Sequence, residues 1–172
     1  FDGIAFSYGY VPGADLEAII SATGFDKVVR YEPCRDRVAE IAYTNSCLIA
    51  SRSYEYDAAG NIIRRVQRRK GCLGRNDGFW CDSRSQLTNA VIGSENYSYC
   101  FDDAGNRKSS VEPGMVVEYQ VNGLNQYTCI TTDESGSWRP LYDADGNQTL
   151  VKTKTGTWSV VYDGENRPVQ WS

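Results

Sequence analysis

The sequence predicts an all-β chain, an antiparallel meander of repeated hairpins. Three observations carry this. A turn-bearing unit recurs every 20 to 25 residues, a second turn signal falls midway between copies, and 16 Gly and 12 Tyr stand against one Met. That is a balance of turn and strand formers, not of a helical bundle. A length of 172 residues suits one domain of ordinary size or one stretch of a repeat array.

The clearest copies are Tyr54-Glu55-Tyr56-Asp57-Ala58-Ala59-Gly60-Asn61, Tyr99-Cys100-Phe101-Asp102-Asp103-Ala104-Gly105-Asn106 and Leu141-Tyr142-Asp143-Ala144-Asp145-Gly146-Asn147. Tyr162-Asp163-Gly164-Glu165-Asn166-Arg167 keeps the Tyr-Asp start. Once the register is fixed, residues 11–15, 32–36, 82–86 and 122–126 fall into the same frame. The first turn positions are then 11, 32, 57, 82, 102, 122, 143 and 163, with steps of 21, 25, 25, 20, 20, 21 and 20. The chain reads as a single repeat segment of eight such units, 1–172.

Each residue type has a reason. Aromatics at alternate positions share one face of a strand. An Asp opening a turn accepts backbone amides two residues on, and Gly three residues later supplies the positive φ of a type I turn closed by a bulge. Asp57, Gly60 and Asn61, then Asp102, Gly105 and Asn106, then Asp143, Gly146 and Asn147, and finally Asp163 are therefore expected as turn residues. About ten residues on lie Thr23-Gly24, Thr44-Asn45, Gly93-Ser94, Pro113-Gly114, Ser135-Gly136 and Thr155-Gly156, so each unit is two strands. Ala14-Asp15-Leu16-Glu17-Ala18-Ile19-Ile20 has helical apolar spacing, yet the repeat register makes it a strand ending at Gly24.

Composition narrows the function classes. A net charge of −4 argues against a dedicated nucleic-acid binder. No apolar run approaches the length of a membrane span. The sequence contains no histidine, which removes Ser-His-Asp and Cys-His catalysis and His-bearing zinc sites. No phosphate-binding glycine loop matches either. The chain starts at Phe1 without a signal-peptide pattern and reads as an excised or processed piece.

Six cysteines show no C-x-x-C spacing. Two readings stand: buried free thiols in a cytosolic β protein, or an exported protein with one or two disulfides. In the second, Cys47 and Cys72 are the best pair, because they lie nearly equidistant from the turn at 57–61; Cys72 with Cys81 is next. Asn96-Tyr97-Ser98 and Asn147-Gln148-Thr149 match the glycosylation tripeptide.

At the turn segments the sequence resembles the tyrosine-aspartate repeat family, also called RHS repeats. That pattern, an aromatic, any residue, Tyr-Asp, two residues and Gly-Asn, stands at 54–61, at 99–106 with Phe101 for Tyr, and at 142–147. Gly123-Leu124-Asn125-Gln126-Tyr127 also looks typical of bacterial members. The resemblance spans roughly residues 8–172. It implies a curved or spiral sheet that is part of a hollow β-shell. In bacterial members such a shell encloses a toxic C-terminal domain of the same polypeptide. The implied role is structural and non-catalytic, without cofactor or metal, at the cell surface or secreted. The implied partner is the remainder of the polypeptide. No counterpart of the family's self-cleaving aspartate segment is present, so no protease role is carried onto Asp143, Asp145 or Asp163.

Other constellations stand beside it. Asp143, Asp145 and Asn147 alternate as in a calcium loop, but Gln148 and Lys154 occupy the positions where such a loop needs Gly and Glu. Arg64, Arg65, Arg68, Arg69, Lys70 and Arg75 would alternate between the faces of strands and form no single flat patch, leaving a solvated hairpin or a contact to an acidic partner. The repeated aromatics read first as core ladders, and second, with Trp80, Trp138, Trp158 and Trp171, as a carbohydrate platform. A cell-wall or glycan-binding module is thus the alternative function.

Overall fold

The computed structural model describes residues 5–12, 17–22, 24–133, 136–153 and 155–172. All regular structure among them is β, and every recorded strand pair is antiparallel between chain neighbours. The chain divides into two compact units, Phe1–Glu95 and Asn96–Ser172. In the first, eight strands lie side by side in chain order: β1 (Ser7–Tyr10), β2 (Glu17–Ala22), β3 (Phe25–Glu32), β4 (Arg35–Asn45), β5 (Cys47–Tyr56), β6 (Ile62–Arg69), β7 (Cys72–Cys81) and β8 (Leu87–Ile92). In the second, β9 (Glu95–Phe101), β10 (Arg107–Glu112), β11 (Met115–Val121), β12 (Tyr127–Thr132) and β13 (Gly136–Trp138) form one run. A separate four-stranded sheet follows: β14 (Leu141–Tyr142), β15 (Gln148–Thr153), β16 (Gly156–Tyr162) and β17 (Pro168–Trp171).

Chain reversals explain this order, because tight turns join only neighbouring antiparallel strands. At 57–61 the Gly60 amide donates to the Asp57 carbonyl at 3.2 Å, and the Asp57 amide closes the loop on the Asn61 carbonyl at 3.0 Å. The same two bonds recur at 82–86, 102–106, 122–126, 143–147 and 163–167. The fourth residue is left-handed each time: Gly60, Gly105 and Gly146 at φ +101°, +91° and +88°, and Ser85, Asn125 and Asn166 at +62°, +59° and +60°. Asn is the non-glycine residue that adopts this region most readily, which is how the copies at 122–126 and 163–167 dispense with Gly. A register shift sits beside each of these turns, as between Glu55 and Tyr56 or between Val161 and Tyr162. The longer steps in the first unit come from longer strands: β4 and β5 have 11 and 10 residues, against 6 in β10 and in β12.

Three local expectations differ from the structure. Residues 32–36 do not form the five-residue turn; Glu32 pairs directly with Arg35 across Pro33-Cys34. Glu is one methylene longer than Asp, and its carboxylate reaches the Arg35 guanidinium, at 2.9 Å, rather than the local amides. β4 runs through Thr44-Asn45 and reverses one residue later, at left-handed Ser46. A further reversal falls at Lys70-Gly71, with Gly71 at φ +72°. Glu17–Ala22 is a strand, while residues 13–16, and with them part of the expected repeat stretch at 11–15, lie outside the described residues.

Burial runs opposite to that of a layered domain. Among the described residues of the first unit, the buried positions are Val29, Ala42, Ser51, Asp77 and Ala90. Its large aromatics Tyr8, Tyr10 and Trp80 are 57 %, 60 % and 52 % exposed. In a sheet without a second layer, small side chains are shielded by the long ones beside them, and the long ones stay wet. The repeat aromatics Tyr54, Tyr56, Tyr99, Phe101, Tyr119, Tyr127, Tyr142 and Tyr162 are all half-buried, not core. Their ring-to-ring contact is local, as in Tyr119–Tyr127 with centroids 5.3 Å apart.

Gly105→Val should lower the denaturant midpoint far more than Ala104→Val. The left-handed backbone of Gly105 disfavours a β-branched residue by about 1–3 kcal/mol. Ala104 is exposed and has no positive φ. Equal midpoints for the two variants would contradict this account of the turn.

Candidate functional site

The expected turn residues come together as one recurring device. Asp57 Oδ1 accepts the amides of Gly60 and Asn61 at 2.7 and 2.8 Å, and its Oδ2 accepts Asn61 Nδ2 at 2.9 Å. Asp102 does the same with the Asn106 amide and side chain, and Asp143 with the Asp145 amide and Asn147. At 163 the Arg167 guanidinium takes the place of the Asn amide, donating to Asp163 Oδ2 at 2.9 Å. At 122 the polarity reverses: Asn122 Nδ2 donates to Gln126 Oε1 at 2.9 Å, while Asn122 Oδ1 still accepts two backbone amides. These donors explain the electrostatics. The side-chain bonds from Asn61, Asn106, Asn147 and Arg167, followed by backbone amides, hold the carboxyls of Asp57, Asp102, Asp143 and Asp163 below the usual range. The Asp143 carboxylate is thereby occupied by its own turn.

Turns also bond to turns. Asn106 Nδ2 donates to Asn125 Oδ1 at 3.0 Å, and Asn147 Nδ2 to Asn166 Oδ1 at 2.8 Å. In the first unit Arg35 Nη1 donates to the Asp57 carbonyl at 3.0 Å, and the Arg37 guanidinium lies over the Tyr56 ring. The repeat tyrosines reach backbone of the preceding strand: Tyr56 Oη donates to the Val38 carbonyl at 2.8 Å, and Tyr162 Oη to the Gln148 carbonyl at 3.1 Å. Both carbonyls lie beside register shifts, where the ladder loses a partner. That gives the phenols of Tyr56 and Tyr162 a role that Phe101, in the same place before Asp102, lacks.

Two faces of β5–β7 carry the remaining chemistry, and cross-strand register sorts them. One face has the rows Tyr54–Arg65–Asp77, Arg52–Gln67–Arg75 and Ala50–Arg69–Cys72. Asp77 is fully buried at 0 % exposure. Its Oδ2 accepts Arg65 Nε and Nη2 at 3.0 and 2.8 Å, and its Oδ1 accepts Arg75 Nε at 2.7 Å and the Gly93 amide at 3.0 Å. Burial pushes its carboxyl up, but Arg75, Arg65 and the Gly93 amide outweigh that, so it lies below the usual range and stays charged. The basic run is thus split: Arg65, Arg69 and Arg75 share this face, Arg64 takes the other, and Arg68, beside the register irregularity of β6, borders the same cleft as Arg69 and Arg75. Arg52, from the neighbouring strand, joins the first face and was not among the residues singled out by the sequence.

On the opposite face Arg64 bridges Glu55 and Asn76, each at 2.9 Å. Trp80 lies back over Gly78, where a Cβ would come within 2.9 Å of the indole ring. Glu55, Ile63, Arg64, Asn76, Trp80 and Val91 line a groove of about 530 Å³. Of the other tryptophans, Trp158 and Trp171 are exposed and Trp138 is half-buried.

All six thiols are free, so the expected Cys47–Cys72 bond is not formed. The β5–β6 register, continued past Ala50–Arg69, would set residue 72 opposite Cys47. The chain instead reverses at Lys70-Gly71, and Cys72 opens β7 beside Arg69, across β6 from β5. Cys47 Sγ accepts Lys70 Nζ at 3.4 Å. Burial, then the carboxylates of Asp57 and Asp82, push the Cys81 thiol up.

No protein-family model and no curated protein matches this chain.

Two measurements check this geometry. The turn carboxyls have folded pKa values below their unfolded ones. Their stabilisation is therefore complete above the unfolded value of about 3.9 and is lost as pH falls through the folded values. The thermal midpoint should be nearly flat from about pH 7 to 5 and fall below about pH 4. A midpoint that stays constant or rises into that acid range contradicts the hydrogen bonding. Separately, alkylation in denaturant without reductant should add six groups per chain; four groups would reveal a disulfide.

Proposed function

We propose that this chain is a non-catalytic wall segment of a tyrosine-aspartate-repeat shell, one that encloses a C-terminal toxin or effector domain of the same polypeptide in a secreted or cell-surface protein. The observation that carries this reading is a pair of turn-to-turn bonds. Asn106 to Asn125 and Asn147 to Asn166 each tie one hairpin turn to the next. Such bonds support a wall of stacked hairpins. The exposure of the large side chains supports it, since a one-layer sheet needs an enclosed or neighbouring body to cover a face.

The test uses the full polypeptide in which the chain occurs. The segment downstream of the repeats should resist protease while the repeats are intact and be digested once they are opened by denaturant. Digestion at the same rate in both conditions rejects enclosure.

A second reading, a carbohydrate or cell-wall binding module, rests on the Trp80 groove. An exposed indole held flat on Gly78 beside Glu55, Arg64 and Asn76 offers a stacking face and polar groups at its rim. Titration with chitooligosaccharide and peptidoglycan fragments decides between them. The shell reading expects no saturable binding. Binding that Trp80→Ala abolishes would establish the module instead.

A further inference from the structure

The arginine face of β5–β7 holds more positive charge than its own structure uses. Its three cross-strand rows carry Arg52, Arg65, Arg69 and Arg75 against a single carboxylate, Asp77. Asp77 engages two of the four. It takes Arg65 through Nε and Nη2, but Arg75 through Nε alone, so the outer nitrogens of Arg75 remain available. Arg52 and Arg69 have no hydrogen bond or ion pair among the described residues, and both are exposed. Uncompensated cations placed on one sheet face repel each other, which disfavours this arrangement unless something occupies it.

Between them lies a cleft of about 510 Å³, bordered by Tyr43, Arg52, Gln67, Arg68, Arg69 and Arg75. Gln67 stands in the middle of the Arg52–Gln67–Arg75 row, and Arg69 is the next residue of β6 on the same face. The buried Asp77 fixes the Arg75 guanidinium from behind, which removes rotamer freedom before any ligand arrives. Tyr43, on the row with Ala50, is 37 % exposed and forms a flat side wall.

We infer that this cleft binds a phosphorylated small molecule, a phosphate monoester held by Arg52, Arg69 and Arg75 with its organic part against Tyr43. A phosphate dianion neutralises two of the surplus charges and offers several acceptor oxygens to planar guanidinium forks. The cleft has the volume of a pocket for a small ligand of that kind. The assignment is independent of the shell reading, because it needs only the first unit.

Calorimetry on the whole chain tests it, with glucose 6-phosphate, glucose, citrate and a hexaglutamate peptide as probes. Glucose 6-phosphate should bind saturably and weaken as salt rises, while glucose should not bind. Arg52→Gln and Arg69→Gln should each weaken glucose 6-phosphate about tenfold or more at an unchanged melting midpoint. Arg64→Gln, on the opposite face, should leave the affinity unaltered. Absence of binding to the unaltered chain, or equal weakening by Arg64→Gln, overturns the site. Citrate or hexaglutamate binding as tightly as glucose 6-phosphate overturns the assignment to phosphate esters and makes the face a dock for carboxylates.

Discussion

One short side-chain oxygen at the head of each five-residue turn holds this meander in register. Asp57, Asp102, Asp143 and Asp163, and Asn122 in their place, each accept amides of the turn they open. In a layered domain a slipped strand is corrected by the core, because slippage moves its apolar side chains to solvent. Here few large side chains are buried, so that correction is weak. The turn supplies it instead. A carboxylate fixed by the third, fourth or fifth residue permits one loop length, and one loop length permits one register. The register shifts beside the turns and the tyrosine hydroxyls that cap the resulting carbonyls follow from that constraint.

The same weakness of core frees the sheet faces. Strand residues point alternately to two surfaces, and in β5–β7 the two surfaces differ in chemistry. One gathers guanidinium groups around a buried carboxylate; the other sets an indole on a glycine beside an ion pair. A second layer packed on either would have required apolar residues there. Asp77 shows how the polar face is made compatible with folding. Its desolvation is unfavourable alone, and five protein donors from Arg65, Gln67, Arg75 and Gly93 offset it. Arg65 also lies over the Phe79 ring, so one side chain serves both the ion pair and the aromatic contact.

Much of this was legible in the sequence, and unevenly. The turns were readable because their chemistry is local. Asp, Gly and Asn sit within five residues of one another and bond to one another, so nothing distant can change the outcome. Even Ser85, Asn125 and Asn166, which lack the glycine, keep the left-handed position because the head residue and the loop length are retained. Glu32 failed as a turn residue for an equally local reason, a carboxylate one methylene too far out. Asp77-Gly78 is the opposite case. A strand-interior Asp-Gly is the usual mark of a hairpin turn. It lies mid-strand because arginines two and twelve residues away claim the carboxylate and the tryptophan two residues on needs the missing Cβ.

The sequence by itself determined the element type, the strand order and the position of most reversals. Each of these depends on bonds between residues close in the chain. Tertiary structure alone decided which cations share a face, that Arg52 joins Arg69 and Arg75, and that Cys72 is carried across β6 away from Cys47. It also decided that the repeat aromatics stay half-buried. Those outcomes depend on the pairing register of three adjacent strands and on whether a second layer covers them. A periodic sequence fixes the alternation of side chains, but not which surface meets solvent or what stands opposite.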